Sequence, residues 1–215
     1  MNRRKRLNES AFESSAPPHD LDARVLAALE RLTHALHKIL WDAAWDERLS
    51  ASQAQFLIYL LYHGQEGVGV RQLAQRFDLQ HSTVSDSVTA LEAKEYLRRL
   101  RSESDGRAVI LQLTEKGRQT AERLACWTDA VRSQITSLQM SAKISFLGTM
   151  LDLIAGLQQA GLISVAKTCT TCHFFERDKY ADREAPHYCR LLQQPLKLVE
   201  LRVDCPDHQL RSIEG

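Results

Sequence analysis

A mainly α-helical chain with one two-stranded β-ribbon and a small cysteine-bearing C-terminal appendage is what this sequence predicts. Three observations carry that expectation. Apolar residues recur at spacings of three and four over most of residues 21–160, the period of helices with one buried stripe. Alternation replaces that period only in residues 96–113, where Ser102, Glu103, Ser104, Asp105 and Gly106 supply a turn between two short apolar runs. Four of the five cysteines crowd the last quarter of the 215 residues.

The elements follow in order. Residues 1–20 begin with Arg3, Arg4, Lys5 and Arg6 and contain Ser14-Ser15-Ala16-Pro17-Pro18, which reads as a disordered basic arm. Asp20 is placed to cap a long helix from Leu21 to about Asp46, with Leu21, Val25, Leu29, Leu32, Leu36, Ile39 and Leu40 on one stripe. That stripe continues through Trp41 and Trp45, and these two, with Tyr59 and Tyr62, are expected in the core. A helix this long also suits pairing with a partner chain. Ser50 or Ser52 caps the next helix, which carries Phe56 to Tyr62 and ends at Gly64. Gly67-Val68-Gly69 connects to a short helix, Val70 to Phe77. Another opens at His81 or Ser82 and runs to about Glu95, turning Val84, Val88 and Leu91 inward. Tyr96 to Arg101 and Ala108 to Leu113 form the ribbon. Thr114 caps a helix from Glu115 to about Leu138, in which Cys126 is expected to be a packed thiol. A last helix covers Ala142 to Ala160, with Ile144, Leu147, Leu151, Ile154 and Leu157 inward, and Gly161 ends it.

Helix, short helix, helix and ribbon is the order of a winged helix-turn-helix. The helix from Ser82 turns Ser82, Thr83, Ser85, Asp86 and Thr89 outward in its N-terminal turns. A helix in a major groove reads base edges from those turns, and its free amides favour a phosphate. Taken alone, the same hydroxyls suit a capped surface helix; the succession of elements around them favours DNA. The ribbon gathers Arg98, Arg99, Arg101 and Arg107. An arginine at a wing tip can enter a minor groove, where negative potential is focused. Asp105 is placed to pair with Arg107 and hold it extended. The net charge of +1 therefore does not exclude a basic face, because the charge is local. The candidate DNA-binding residues are Ser82, Thr83, Ser85, Asp86, Thr89, Arg99, Arg101, Asp105 and Arg107.

Gln72-Leu73-Ala74, Ser82-Thr83-Val84-Ser85, Leu91-Glu92-Ala93-Lys94, Asp105-Gly106-Arg107 and Leu113-Thr114-Glu115-Lys116-Gly117 occur in that order. Together they resemble the MarR family of bacterial transcriptional regulators over roughly Leu21 to Ala160. The resemblance implies a homodimer joined by its terminal helices, with two winged helices on a pseudopalindromic double-stranded DNA operator. It implies that Asp105 and Arg107 correspond to the wing pair at the minor groove. It also implies a small-molecule effector, often an aromatic acid, between the dimerisation and DNA-binding parts, where Trp41, Trp45, Tyr59 and Tyr62 are candidate lining. The chain departs from the pattern at Asp86, where many relatives have Arg, and at Glu95, where many have Gly. A carboxylate at Asp86 can accept from a cytosine amino group instead of touching phosphate, or face solvent.

Residues 162–215 form a separate cysteine-rich module. Cys169, Cys172, Cys189 and Cys205 follow a C-x2-C-x16-C-x15-C spacing. In a reducing cytosol such a set points to a metal or redox centre before a disulfide scaffold. Four thiolates suit zinc and iron–sulfur clusters alike. The two solitary downstream cysteines, and the aromatic and aliphatic residues between them, favour a [4Fe–4S] cluster, with zinc as the alternative. The layout is similar to that of high-potential iron–sulfur proteins, which also follow one C-x-x-C with two spaced cysteines. His173, His187 and His208 stand outside the expected ligand set.

No catalytic triad, P-loop or dinucleotide fingerprint occurs, so no enzyme is expected. No uninterrupted run of 18 apolar residues occurs, so no membrane-spanning helix is expected. The basic start lacks a following apolar core, so no secretory signal is expected and a cytoplasmic location is the default. The expected function is a dimeric, sequence-specific DNA-binding regulator modulated by an iron–sulfur cluster that reports redox, oxygen or iron status. The alternatives are a MarR-type regulator with structural zinc and an aromatic effector, or a redox or electron-transfer protein.

Overall fold

The computed structural model describes residues 20–101, 108–163, 166–181 and 184–211. The expected basic arm up to residue 19 and the ribbon tip, with Asp105 and Arg107, lie outside the described residues. In chain order the elements are α1 (Leu21–Asp46), α2 (Ala51–His63), α3 (Val70–Phe77), α4 (His81–Ala93), β1 (Leu97–Arg101), β2 (Val109–Leu113), α5 (Glu115–Ala125), α6 (Asp129–Thr136), α7 (Met140–Gln159), β3 (Phe175–Glu176), β4 (His187–Cys189) and β5 (Gln194–Leu196). The chain packs as two compact units. Among the described residues, one joins those from 20 to 70 with those of 82–129, and the other joins 71–81 with those from 130 to 211.

In the first unit α1, α2 and α5 start where the sequence supplies a cap. The Asp20 carboxylate accepts from the Ala23 N–H at 3.0 Å, and Ser50 and Gln53 cap α2 reciprocally. Ala54, Phe56, Leu57 and Leu60 of α2 form the centre of the core, with Val84, Val88 and Leu91 of α4 and Leu97 and Leu111 of the ribbon. Burying each of these Leu, Val and Phe side chains is worth about 1.5–3 kcal/mol. β1 and β2 pair antiparallel with Leu97 opposite Leu113 and Arg101 opposite Val109. The Leu111 N–H donates to the Val68 carbonyl at 2.8 Å, so the connector after α2 extends the ribbon.

Several expectations need correction here. The α1 stripe is not a core face within the chain: only Leu40 and Ala44 are buried, while Leu21, Val25, Leu32, Leu36, Trp41 and Trp45 are exposed. Tyr62 is exposed as well. An amphipathic period records that a helix has an apolar face, not which chain covers it. α2 does end at Gly64, as expected, and that right-handed glycine leads into a 3-10 turn over Gly64–Glu66 closed by left-handed Gly67 (φ +78°). The expected single helix from Glu115 to Leu138 is broken by a 3-10 turn at Cys126–Thr128. That tighter turn shifts the phase of the helical face, so Cys126 is exposed and its sulfur lies 3.8 Å from the Glu122 carbonyl oxygen.

In the second unit α7 buries only Leu151 and Ala155 and is closed by Gly161 at φ +69°. It is long and apolar enough to cross a membrane by length and composition, with a mean hydropathy of 1.3. The expectation of no such helix, drawn from uninterrupted apolar runs, is thereby corrected: Lys143 and Asp152 interrupt the run without lowering its average far. The appendage is folded onto this helix. Its strands form an antiparallel sheet in the order β3-β4-β5. Leu151 packs with Cys172, Phe175, Leu196 and Leu201, flanked by Leu147, Phe174 and Leu198. The Thr170 hydroxyl donates to the Leu151 carbonyl at 3.2 Å, and Arg177 ion-pairs with Asp152. Tyr180, Leu191, Leu192 and Val199 stay exposed, so the apolar shell is smaller than the composition suggested.

Candidate nucleic-acid interface and cysteine centre

The buried Val84, Val88 and Leu91 fix the rotation of α4, and that rotation leaves Ser82, Thr83, Asp86 and Thr89 exposed, with Ser85 partly covered. Thr89 donates its hydroxyl to the Ser85 carbonyl at 2.9 Å and accepts from Arg99 Nη2 at 3.0 Å. Arg99 also ion-pairs with Glu92, whose other oxygen accepts the Arg99 backbone N–H at 3.1 Å. Arg99 is therefore a strut that ties β1 to the outward helix. Arg98 donates from Nε and Nη2 to Gln112 Oε1 at 2.9 and 2.6 Å across the ribbon. Arg101 is exposed at the last described position before the tip.

Further contacts hold the root of the ribbon. Lys116 Nζ donates to the Lys94 carbonyl at 2.8 Å and lies 4.6 Å from the centre of the Tyr96 ring. Lys94 Nζ in turn donates to the Arg48 carbonyl at 3.0 Å. Arg123 grips Glu47 with two hydrogen bonds, at 2.7 and 2.9 Å, and its guanidinium holds the Glu47 carboxyl below the usual carboxylate range against the opposing effect of burial. Glu95, at φ +62°, takes the left-handed conformation that closes α4. That conformation is why glycine suits the position. The sequence signals for Glu92 and Lys116 were only their places in the resembling motifs.

The four clustered cysteines come from three stretches of chain. The Cys172 N–H donates to the Cys169 carbonyl at 3.0 Å, β pairing sets Phe175 opposite Cys189, and the Cys205 N–H donates to the Lys167 carbonyl at 2.9 Å. Cys172 is buried and the other three are partly buried. Burial pushes the Cys169 thiol up, and the neighbouring Cys205, Cys172 and Cys189 push it further, while the Arg202 N–H, 3.2 Å from its sulfur, opposes them. Arg202 Nη1 also lies 3.8 Å from the Cys205 sulfur. Among the described residues, no group of three or more His, Cys, Asp or Glu side chains is drawn together tightly enough to hold a metal ion as it stands. The chemistry of the donor set fits one, since four soft sulfur donors are the ligand type that zinc and iron–sulfur centres take. The histidines have other roles. His187 is buried, its Nδ1 accepts from the Asp178 N–H at 3.2 Å, and burial pushes its pKa down. His208 Nε2 lies 2.9 Å from the Thr171 hydroxyl, and His173 is exposed.

Residues 44–124 match the family model of the transcriptional regulators SarA and Rot. The chain is 28% identical over 109 residues to the HTH-type transcriptional regulator TtmR of Methylorubrum extorquens (strain PA1), a match that spans 51% of this chain and 55% of TtmR. It is 44% identical over 50 residues to the uncharacterized HTH-type transcriptional regulator YxaD of Bacillus subtilis (strain 168), spanning 23% of this chain and 35% of YxaD. The chain thus spans about half, or less, of the length of these curated relatives. Among solved structures it is similar to the Staphylococcus aureus MepR–DNA complex, with a TM-score of 0.56 and 19% identity over 60% of this chain and 94% of MepR. It is also similar to the regulator MarR from Oenococcus oeni PSU-1, with a TM-score of 0.53 and 23% identity over 61% of this chain and 98% of that one. These likenesses establish the winged-helix fold.

Proposed function

We propose that this chain is a dimeric, sequence-specific DNA-binding transcriptional regulator of MarR type, cytoplasmic, whose cysteine module holds a thiolate-ligated centre that modulates DNA binding. The observation that carries the reading is the polar face of α4. Ser82, Thr83, Asp86 and Thr89 stand exposed on a helix whose opposite side is fully buried, beside a ribbon that ends in Arg101. Hydroxyls there suit base edges and phosphates, Asp86 suits a cytosine amino group, and Arg101 and Arg107 suit a minor groove. The similarity to MepR in a complex with DNA, and to relatives named as HTH-type regulators, supports it.

The dimer rests on apolar surface without a partner in the chain. Leu21, Val25 and Leu32 of α1 and Met140, Phe146 and Leu153 of α7 are exposed. Exposed apolar helix faces of this kind mark an interface, and a second copy of the chain is the occupant that symmetric assembly supplies. A partner's cover also accounts for the membrane-like composition of α7 without a membrane.

Cys169, Cys172, Cys189 and Cys205 would hold the centre, a [4Fe–4S] cluster in this reading. When bound, such a cluster supplies a charge that changes with redox state. The protein's part is to exclude water with Phe175, Leu196 and Leu201 and to direct the Arg202 N–H at a sulfur. Occupancy or redox state then biases the dimer between two spacings of its α4 helices, as a population shift. Selection of binding sites from a random duplex library tests DNA reading. Enrichment of a pseudopalindrome and a steep loss of affinity with salt are expected; no duplex binding at low salt refutes the proposal. Anaerobically purified protein should be coloured. Colourless protein with one zinc per chain would replace the cluster with zinc.

A further inference from the structure

Arg76, in the last turn of α3, reaches beyond its own helix. Its Nε lies 3.1 Å from Asp204 Oδ2. Asp204 directly precedes Cys205, and Arg202 in the same loop directs its N–H at the Cys169 sulfur and its guanidinium at the Cys205 sulfur. One short loop, 202–205, is therefore held by two thiols and by α3 at once. Residues 71–81 belong to the same compact unit as the cysteine module. Only Asp78, Leu79 and Gln80 separate α3 from α4.

We propose that the Arg76–Asp204 ion pair couples the cysteine centre to the reading head. This rests on the cysteine-centre reading given above and names the path by which that centre acts. A bound centre fixes the positions of Cys169 and Cys205, and loop 202–205, which carries Cys205 and is hydrogen-bonded through Arg202 to the Cys169 sulfur, is positioned with them, Asp204 included. Through Arg76 that positioning acts on α3, and α3 is continuous with α4 through a three-residue turn. Arg76 and Asp204 are both partly exposed. A pair of that kind bounds the coupling to about two- to fivefold.

The test uses the full chain, both as purified anaerobically and after stripping with a chelator. Three quantities are read: metal per chain, the ratio of operator affinity between the two forms, and hydrogen exchange of the amides of residues 71–77. For D204N and R76Q we expect unchanged metal content, an affinity ratio that collapses toward one, and exchange of residues 71–77 faster by about two- to fivefold. The charge-swapped double variant R76D/D204R should restore the ratio. R76Q is remote in sequence from the cysteines, so it decides the matter if D204N loses metal. Retention of the wild-type ratio and exchange by R76Q overturns the coupling. So does an equal loss of affinity in both forms, which places Arg76 on DNA directly. If the wild-type ratio is itself one, modulation by the centre fails, and the exchange measurement still decides the Arg76–Asp204 link.

Discussion

Replacing Gly117 by alanine should destabilise the protein, although helix propensity alone favours the change by about 1 kcal/mol. Gly117 is buried in the first turn of α5. A Cβ at this position would stand 1.7 Å from the Tyr96 carbonyl oxygen and 2.7 Å from its carbon. Both atoms are backbone, far inside van der Waals contact, and no rotamer change relieves the clash. The helix and the root of the ribbon must separate. That separation stretches a small network: the Thr114 N–H donates to Tyr96 O at 3.1 Å, the Thr114 hydroxyl reaches the same oxygen at 3.2 Å, and the Gly117 N–H donates to Thr114 Oγ1 at 3.0 Å. Overpacking costs about 1–3 kcal/mol, and each lost hydrogen bond about 1 kcal/mol. After the propensity gain, the net expectation is a loss of about 2–4 kcal/mol. Urea denaturation followed by far-ultraviolet circular dichroism, at one fixed protein concentration, measures it. A G117A protein as stable as wild type, or more so, would show that the ribbon root is not pinned against α5 as described.

Three further outcomes are expected. R99A should cost stability, by about 1 kcal/mol, and DNA affinity together, because it removes the strut to Glu92 and Thr89; R101A should weaken DNA binding with stability within about 0.5 kcal/mol of wild type. Equal stability of the two variants would count against the strut. Glu47 has a folded pKa below its ordinary 4.5, chiefly through Arg123, so its contribution is fully present above that value and is lost as pH falls through the depressed one. The stability difference between wild type and E47Q should be flat from neutrality to about pH 5 and shrink below pH 4.5, as read by urea midpoints along a pH series. L151A should cost about 2–5 kcal/mol in the second unit and expose the appendage to protease, since Leu151 is its central contact on α7; unchanged cleavage would mean that the appendage is held elsewhere.

Much of the fold was legible because its signals are local. Asp20, Ser50 and Thr114 cap the helices they were expected to cap. The apolar period places Val84, Val88 and Leu91 inward, which leaves Ser82, Thr83, Asp86 and Thr89 outward. The ribbon forms at Leu97–Arg101 and Val109–Leu113, as alternation predicts. Illegible were the break at Cys126, where a 3-10 turn competes with a helix at small energetic difference, and the exposure of Trp41 and Trp45. Periodicity cannot tell a face covered by the same chain from one left bare.

The sequence by itself determined which stretches are helices, where they begin, that a ribbon follows a helix-turn-helix, and that four cysteines share one short segment. Capping, periodicity and turn chemistry act between residues a few positions apart, so a linear reading captures them. Only the tertiary structure decided what the side chains do with distant neighbours. It committed Arg99 to Glu92 and Thr89, set Tyr96 against Gly117, seated the cysteine module on Leu151, and joined Arg76 to Asp204. Those contacts depend on how the backbone returns on itself, and an ion pair between residues so far apart in the chain leaves no mark on the local sequence of either partner.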